Sequence, residues 1–130
     1  MRKILLFTIF TLLSGCAATS IEQISANPEK AIIIAYSDSL GSVLVPLASS
    51  TRTRIEVVNG KKVSDFFNST ETIELDQGKH NLIVSCHYIQ GAINVSHKTE
   101  HVINVQKGKK YVFKAVLDRE FGCTSKYDVI

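Results

Sequence analysis

Cysteine is the residue type in this chain best suited to covalent or metal chemistry, and the 130 residues contain three of them. Cys16 follows a short apolar stretch and two small residues, whereas Cys86 and Cys123 lie far apart in the remaining chain. A thiolate can attack a substrate, bind a metal ion or form a disulfide. Zinc sites usually contain a CxxC pair, and the sequence has none. Metal binding and thiol catalysis are therefore not predicted.

Four histidines are the other candidates for metal binding or acid–base catalysis. His97 and His101 are four residues apart, a spacing that brings the rings together on a helix but leaves them about 13 Å apart on a strand. His80 adjoins a predicted turn, and His87 lies on the strand face opposite Cys86. The sequence also lacks a GxSxG motif and a glycine-rich phosphate loop. We therefore predict no metal, no cofactor and no enzymatic activity. A small hydrolase stays an open alternative, because a pair of carboxylates can come together only in the folded chain.

The segment that precedes Cys16 is typical of an export signal. Arg2 and Lys3 are followed by ten residues of apolar character, 4–13. As a helix this run would span about 15 Å, half of a bilayer's hydrocarbon core, so no permanent transmembrane helix is expected. It ends in Leu13-Ser14-Gly15-Cys16, which resembles the lipobox of bacterial lipoproteins. The resemblance implies cleavage before Cys16 and attachment of acyl chains such as palmitate to that cysteine.

This resemblance divides the chain into a signal peptide over 1–15, a lipidated tether over 16–30 and a β domain over 31–130. Ala17 and Ala18 follow the cysteine. In lipoproteins of Gram-negative bacteria, the absence of an acidic residue there resembles cargo sent to the outer membrane. The implied location is the outer membrane, with the domain facing the periplasm. An ordinary signal peptide whose cleavage site happens to lie near a cysteine is the alternative.

Cys86 and Cys123 remain as an even pair if Cys16 carries lipid. Because an oxidising compartment favours bonding between such a pair, we predict a Cys86–Cys123 disulfide. Loss of residues 1–15 leaves 115 residues, enough for one domain. It also removes two of the 15 basic residues, which leaves 13 basic and 12 acidic residues. These charges are interspersed along the sequence, and no nucleic-acid partner is predicted.

The domain sequence consists of short strand patterns separated by turn residues. Ala31–Tyr36 is a continuous apolar run, which predicts a strand buried on both faces. Arg54–Val58 alternates between apolar and polar residues. Asn59-Gly60 follows it and favours the type I′ turn of a hairpin that returns along 61–63.

Residues 73–83 and 103–113 form a quasi-repeat. Each contains an alternating strand, two polar residues, a glycine suited to positive φ, a lysine and a second alternating strand. Both are predicted hairpins. The predicted core residues of their return strands are Leu82, Val84, Cys86 and Tyr88 in the first, and Tyr111, Phe113, Ala115 and Leu117 in the second. Tyr127–Ile130 is a candidate closing edge strand.

These patterns predict an all-β fold, a small antiparallel β-sandwich of about six to eight strands preceded by a cleaved signal peptide. The hairpin pattern over about 54–118 resembles the PEGA-type and related carboxypeptidase-regulatory-like β domains of bacterial surface proteins. Asp76-Gln77-Gly78-Lys79 stands where PEGA domains have Pro-Glu-Gly-Ala. The resemblance implies an architecture and an envelope setting, without binding residues.

Phe66 and Phe67 are the candidate partner contact, because adjacent residues on an extended chain point to opposite sides and one ring could stay exposed. Burial of both rings is the alternative. We expect a non-enzymatic binding or accessory module that is held at the membrane by lipid and contacts another envelope protein. An inhibitor or immunity protein against a secreted hydrolase or toxin is the alternative, with 66–70 or 91–98 as its protruding loop.

Overall fold

The computed structural model describes residues 24–38, 49–64, 72–120 and 122–130. The strands within these ranges are β1 (Ala31–Ala35), β2 (Ser37–Asp38), β3 (Ser50–Val58), β4 (Lys61–Lys62), β5 (Thr72–Leu75), β6 (Gly78–Gln90), β7 (Ile93–Val105), β8 (Lys110–Asp118) and β9 (Gly122–Val129). The part of the chain described here contains no helix that is long and apolar enough to cross a membrane. The prediction of an all-β fold is confirmed.

The strands form two sheets that pack against each other through a shared core. The first sheet has the order β5-β1-β8-β9, so β9 is an edge strand as predicted. The second sheet has the order β2-β3-β6-β7, with β4 beside β3. Paired strands are antiparallel except β1 and β8, which run parallel with Ile33 opposite Tyr111. This parallel pair differs from the predicted antiparallel arrangement, and the long connection between β1 and β8 permits it.

β1 is buried on both faces, as its continuous apolar sequence predicts. Every second residue of β1, beginning with Ala31, points into the core between the sheets. Ile32 and Ile34 point to the opposite face. There they pack against Val112, and Ile24 from the segment before β1 contacts the same cluster. Burial of an isoleucine side chain stabilises a fold by about 1.5–3 kcal/mol, so both faces of β1 contribute.

The chain crosses from the first sheet to the second at Tyr36, between β1 and β2. The Tyr36 amide donates to the Phe113 carbonyl over 2.9 Å, and the Thr53 amide donates to the Tyr36 carbonyl over 3.2 Å. The Thr53 hydroxyl lies 2.5 Å from the Tyr36 carbonyl oxygen and 3.1 Å from the Phe113 carbonyl oxygen, so its one proton is shared between these two acceptors. Thr53 therefore joins a strand of each sheet through its buried side chain.

The predicted β3–β4 hairpin is confirmed. Asn59 has φ 50° and Gly60 has φ 79°, the two positive values that a type I′ turn requires. The return strand β4 is two residues long and pairs with the end of β3.

The two turns of the quasi-repeat connect the sheets and do not close hairpins. β5 pairs with β1 in the first sheet, whereas β6 pairs with β3 and β7 in the second. β7 and β8 likewise belong to different sheets. Gly78 and Gly108 have the expected positive φ, 135° and 79°. The hairpin prediction is wrong at both turns, because local turn chemistry reverses the chain without selecting the partner of each strand.

β6 and β7 form a hairpin with 13 residues in each strand. Pairing runs from Gly78 opposite Val105 at one end to Gln90 opposite Ile93 at the tip. The prediction of a protruding loop over 91–98 is therefore wrong. Only two residues turn the chain, because the residues from 93 onward continue the backbone ladder with β6.

The predicted core face of β6 is buried except at Tyr88, which is half-buried, and that of β8 is buried only in its first half. The fully buried residues of the β6 face are Leu82, Val84 and Cys86. On β8, Phe113 is fully buried but Leu117 is 62% exposed. β1 accompanies β8 only as far as Phe113, so the later residues of β8 have β9 alone beside them. The core assignment of Leu117 is wrong for this reason.

The Cys86–Cys123 disulfide is present, as predicted. It joins β6 of the second sheet to β9 of the first, with a Cα–Cα distance of 6.1 Å and a sequence separation of 37. Both cysteines are fully buried. Closing a loop of this length constrains the unfolded chain by about 4 kcal/mol in the chain-entropy model.

Candidate functional site

A shallow depression of about 290 Å³ lies on the outer face of the second sheet, at β3, β6 and β7. The described residues that line it are Ser50, Thr51, Arg52, Arg54, His87, Ile89 and Asn94. None of these lining residues is acidic, and most carry hydrogen-bond donors. The depression therefore suits a polar or anionic group.

The strand register places two arginines on this face. Arg52 and Arg54 are two residues apart on β3, so both point away from the core. Arg52 is paired with His87 on β6, and Arg54 is paired with Ser85. Arg52 is exposed, whereas Arg54 and His87 are half-buried. Because a paired strand carries both arginines, their backbones need little further ordering when a ligand binds.

The neutral form of His87 is favoured at pH 7. Burial lowers its pKa below the ordinary value of 6.5, and the positive charge of Arg54 lowers the pKa further. A neutral imidazole offers one donor and one acceptor nitrogen. Its Nε2 atom lies 3.3 Å from the Ser85 hydroxyl.

Glu56 lies beside the depression, on the same strand as the arginines. Lys98 Nζ donates to Glu56 Oε2 over 2.6 Å. Burial raises the pKa of Glu56, but hydrogen bonds from Lys98 and Ser85 outweigh it and hold the pKa below its usual value. In a catalytic triad the histidine lies between acid and serine. Here the buried Ser85 lies between Glu56 and His87, so the three residues do not form a nucleophilic site.

A second serine–histidine contact lies between the sheets. His101 Nε2 is 2.8 Å from the Ser125 hydroxyl. The imidazole packs edge-on against Phe113 and Tyr127, with ring centroids 5.0 Å and 6.0 Å away. Burial lowers the pKa of His101. Ser125 is 2% exposed, so this contact is an internal polar pair that no substrate reaches.

His80 links two turns. Its Nε2 atom lies 2.7 Å from the Asp76 carbonyl, and its Nδ1 atom lies 2.8 Å from Asn59 Nδ2. A carbonyl oxygen only accepts, so Nε2 carries the proton and Nδ1 accepts from the Asn59 amide. His97 lies on β7 opposite Cys86. Within the described ranges, no three residues among His, Cys, Asp and Glu lie close enough together to hold a metal ion.

Of the described cysteines and histidines that the sequence singled out, only His87 lines the depression. Cys86 and Cys123 form the disulfide at the core. Cys16, Phe66 and Phe67 lie outside the described residues, so the lipidation site and the aromatic contact stay predictions. Sequence reasoning missed the two arginines of the depression, although the alternation Arg-Thr-Arg over 52–54 carries the signal.

The fold and the site define an all-β protein of two disulfide-linked sheets, with a cation-lined depression on one outer face. No protein family, curated protein or solved structure matches the chain.

Proposed function

We propose that this protein is a lipoprotein of the bacterial outer membrane whose β domain faces the periplasm and binds an envelope protein without catalysing a reaction. The tetrapeptide Leu13-Ser14-Gly15-Cys16 supports the lipid anchor. Each buried CH₂ contributes about 0.8 kcal/mol, so two or three acyl chains hold a protein on a bilayer far more firmly than one. The disulfide supports an exported domain, because such bonds persist in oxidising compartments.

The binding function is proposed on the basis of the depression that contains Arg52 and Arg54. A guanidinium group donates two parallel hydrogen bonds to a carboxylate, with a geometry that lysine cannot reproduce. Asn94 adds an amide to the lining, and the neutral His87 adds a ring nitrogen of either hydrogen-bonding type. The partner that fits these groups presents an acidic side chain to the second sheet.

One exposed isoleucine extends this surface towards the tip of the β6–β7 hairpin. Ile89 lines the depression and is 43% exposed, whereas Ile93, which is 54% exposed, pairs with Gln90 and lies on the opposite face of the hairpin. Binding surfaces commonly combine apolar contacts, which supply affinity, with charged groups, which supply specificity. Ile89 and the depression therefore form one candidate interface.

Cross-linking in intact cells, followed by purification of the protein, tests this binding function. We expect a discrete partner whose recovery falls about tenfold or more for Arg52→Glu, since the substitution puts a carboxylate against the partner's carboxylate. Arg119→Glu makes the same change of charge on the turn after β8 and should retain wild-type recovery. Equal recovery of the partner by both variants would remove the depression from the interface.

The anchor is tested separately by the intact mass of the purified protein. The mass should show the loss of residues 1–15 and the addition of acyl chains at Cys16. Cys16→Ser should lack the acyl mass. A mature protein without acyl chains would contradict the anchor and leave the binding function standing.

An inhibitor or immunity protein is the second candidate, and the β6–β7 tip is the observation that favours it. β3 accompanies β6 as far as Ile89, so the Gln90–Ile93 pair and the two turn residues extend beyond β3. A rigid projection with an exposed isoleucine can enter the active site of a hydrolase. This candidate predicts that the cross-linked partner is an enzyme, that stoichiometric protein abolishes its activity, and that Ile93→Asp prevents the inhibition.

A further inference from the structure

Lysines that are scattered along the sequence meet at one end of the sandwich. We call this region the lysine end, and it contains Lys30, Lys61, Lys62, Lys79, Lys107, Lys109 and Lys110. They belong to four separate segments of the chain, which the fold brings together through hydrogen bonds between turns.

The first set of hydrogen bonds joins the β3–β4 turn to the β5–β6 turn. The backbone N–H of Asn59 donates to the backbone carbonyl of Asn81 over 2.8 Å. The Asn59 side-chain oxygen accepts from the Asn81 amide over 2.9 Å. His80 then bridges Asn59 to the Asp76 carbonyl. These contacts bring the lysines of β4 beside the start of β6.

The second set adds the β7–β8 turn and the segment before β1. Gly78 at the start of β6 pairs with Val105 at the end of β7, so the turn over 106–109 lies at the same end. The Gly108 amide donates to the Lys30 carbonyl over 2.9 Å. The Lys30 ammonium contacts Asp76 Oδ1 over 2.6 Å. All four segments therefore converge on one end of the fold.

The lysine end carries most of the excess positive charge. Its seven lysines are accompanied by four acidic side chains, those of Glu29, Glu74, Asp76 and Glu100, the last of which accepts from Asn81, whereas the other described residues include six basic and five acidic ones. Asp76 is paired with Lys30, and Asn27 donates to Glu74 over 3.3 Å. The exposed lysines of this end are Lys61, Lys62, Lys79, Lys107 and Lys109. None of these five forms an ion pair with a residue that the structure describes.

A tether to Cys16 is short enough to keep this end near a membrane. Ile24 packs on the outer face of the first sheet, against Ile32, Ile34 and Val112. Ile24 lies eight positions after Cys16, and this length of chain can span at most about 28 Å. A lipid on Cys16 therefore places a bilayer surface within reach of the lysines at high effective concentration.

We propose that the lysine end is a contact surface for anionic lipid headgroups, which turns the anchored domain so that the depression faces away from the bilayer. The orienting role rests on the lipid anchor proposed above. Each lysine near an anionic bilayer strengthens binding about fivefold. β6 runs from the lysine end to the hairpin tip, and its 13 residues cover about 40 Å. Headgroup contact at one end therefore leaves Ile89 and the depression open to a partner at the other.

Sedimentation with lipid vesicles tests the contact surface without a lipid anchor. The mature chain, residues 16–130 with Cys16→Ser, is mixed with vesicles of phosphatidylcholine alone or with added phosphatidylglycerol. We expect stronger binding to the anionic vesicles, with a loss at high salt because the interaction is screened. The variant Lys61→Gln/Lys107→Gln/Lys109→Gln should bind the anionic vesicles roughly 100-fold more weakly.

The matched control removes three positive charges elsewhere, through Lys114→Gln/Arg119→Gln/Lys126→Gln, and should keep nearly all of the binding. Thermal unfolding of each variant checks that the fold is intact. Equal weakening by both triple variants would show an effect of net charge alone and overturn the proposal. Tighter binding to duplex DNA than to anionic vesicles would assign the surface to nucleic acid and also overturn it. Because the assayed chain carries no lipid, its result is independent of whether Cys16 is acylated.

Discussion

Gly122 on β9 lies directly against Val95 on β7, so that a methyl group at Gly122 would overlap the Val95 side chain. Gly122 also has φ 80°, a value that residues with a Cβ atom rarely adopt. The next residue, Cys123, forms the disulfide to β6. The close approach of these two strands thus lies beside the covalent link between the sheets.

We predict that Gly122→Ala destabilises the protein by about 3 kcal/mol, since backbone strain and steric overlap add. Urea unfolding measures the loss. Gly108→Ala is the matched control, because Gly108 has φ 79° and no atom within 4 Å of the added methyl group. It should cost about 1–2 kcal/mol. Equal losses in the two variants would show that the Val95 contact contributes nothing, whereas Val95→Ala should rescue Gly122→Ala in part.

Removal of the disulfide should lower stability by about 4 kcal/mol in the chain-entropy model. Cys86→Ala/Cys123→Ala removes both sulfur atoms without leaving a free thiol. Urea unfolding gives the change in free energy. Intact mass after alkylation checks the bond itself: the unreduced chain should take up label at neither Cys86 nor Cys123. Labelling of either residue before reduction would contradict the bond.

The stability of the protein should fall as the pH falls below about 6.5. Burial holds the pKa values of His101 and His87 below the ordinary value of 6.5 in the folded state. Between the folded and unfolded pKa values the unfolded chain binds more protons, so acid favours unfolding. Urea midpoints measured between pH 8 and pH 5, which is about one and a half units below the ordinary histidine pKa, record the change.

His101→Gln should flatten part of this pH dependence, because glutamine keeps polar atoms near Ser125 but does not titrate. His87→Gln should flatten a further part independently, since His87 lies on the outer face of the second sheet. An unchanged slope in both His101→Gln and His87→Gln would contradict the assignment.

Thr53→Val should destabilise the protein by about 1 kcal/mol, the net value of a typical hydrogen bond. The substitution keeps the shape of the side chain but removes the hydroxyl that lies within hydrogen-bonding distance of the Tyr36 and Phe113 carbonyls. Phe113 keeps the hydrogen bond from the Tyr36 amide, so no larger loss is expected. Thr99→Val is the control, because its hydroxyl contacts Thr124 over 3.2 Å in a half-buried position. A Thr99→Val loss as large as that of Thr53→Val would argue against a special role of the sheet crossing.

Much of the local structure follows from neighbouring residues. The apolar run at Ala31–Ala35 forms a strand buried on both faces. Asn59 and Gly60 form the predicted turn. In these cases φ preference and side-chain burial depend on a few adjacent residues, and the sequence pattern contains that information.

Strand partners could not be inferred in the same way. The two Gly-Lys turns have similar sequences to hairpin turns, yet each passes from one sheet to the other. The exposure of Leu117 depends on where β1 stops accompanying β8. The sheet crossing at the two turns and the exposure of Leu117 both depend on pairing between strands far apart in sequence, which no local sequence pattern indicates.

The sequence by itself determined the β class, the paired cysteines, the type I′ turn and the resemblance of Leu13-Ser14-Gly15-Cys16 to a lipobox, because each depends on residue type and short spacing. Only the tertiary structure decided the arginine depression and the lysine end. Charges that are interspersed along the chain become a cluster when four segments meet at one end of the sandwich. Electrostatic fields depend on distances in space, and the fold sets those distances.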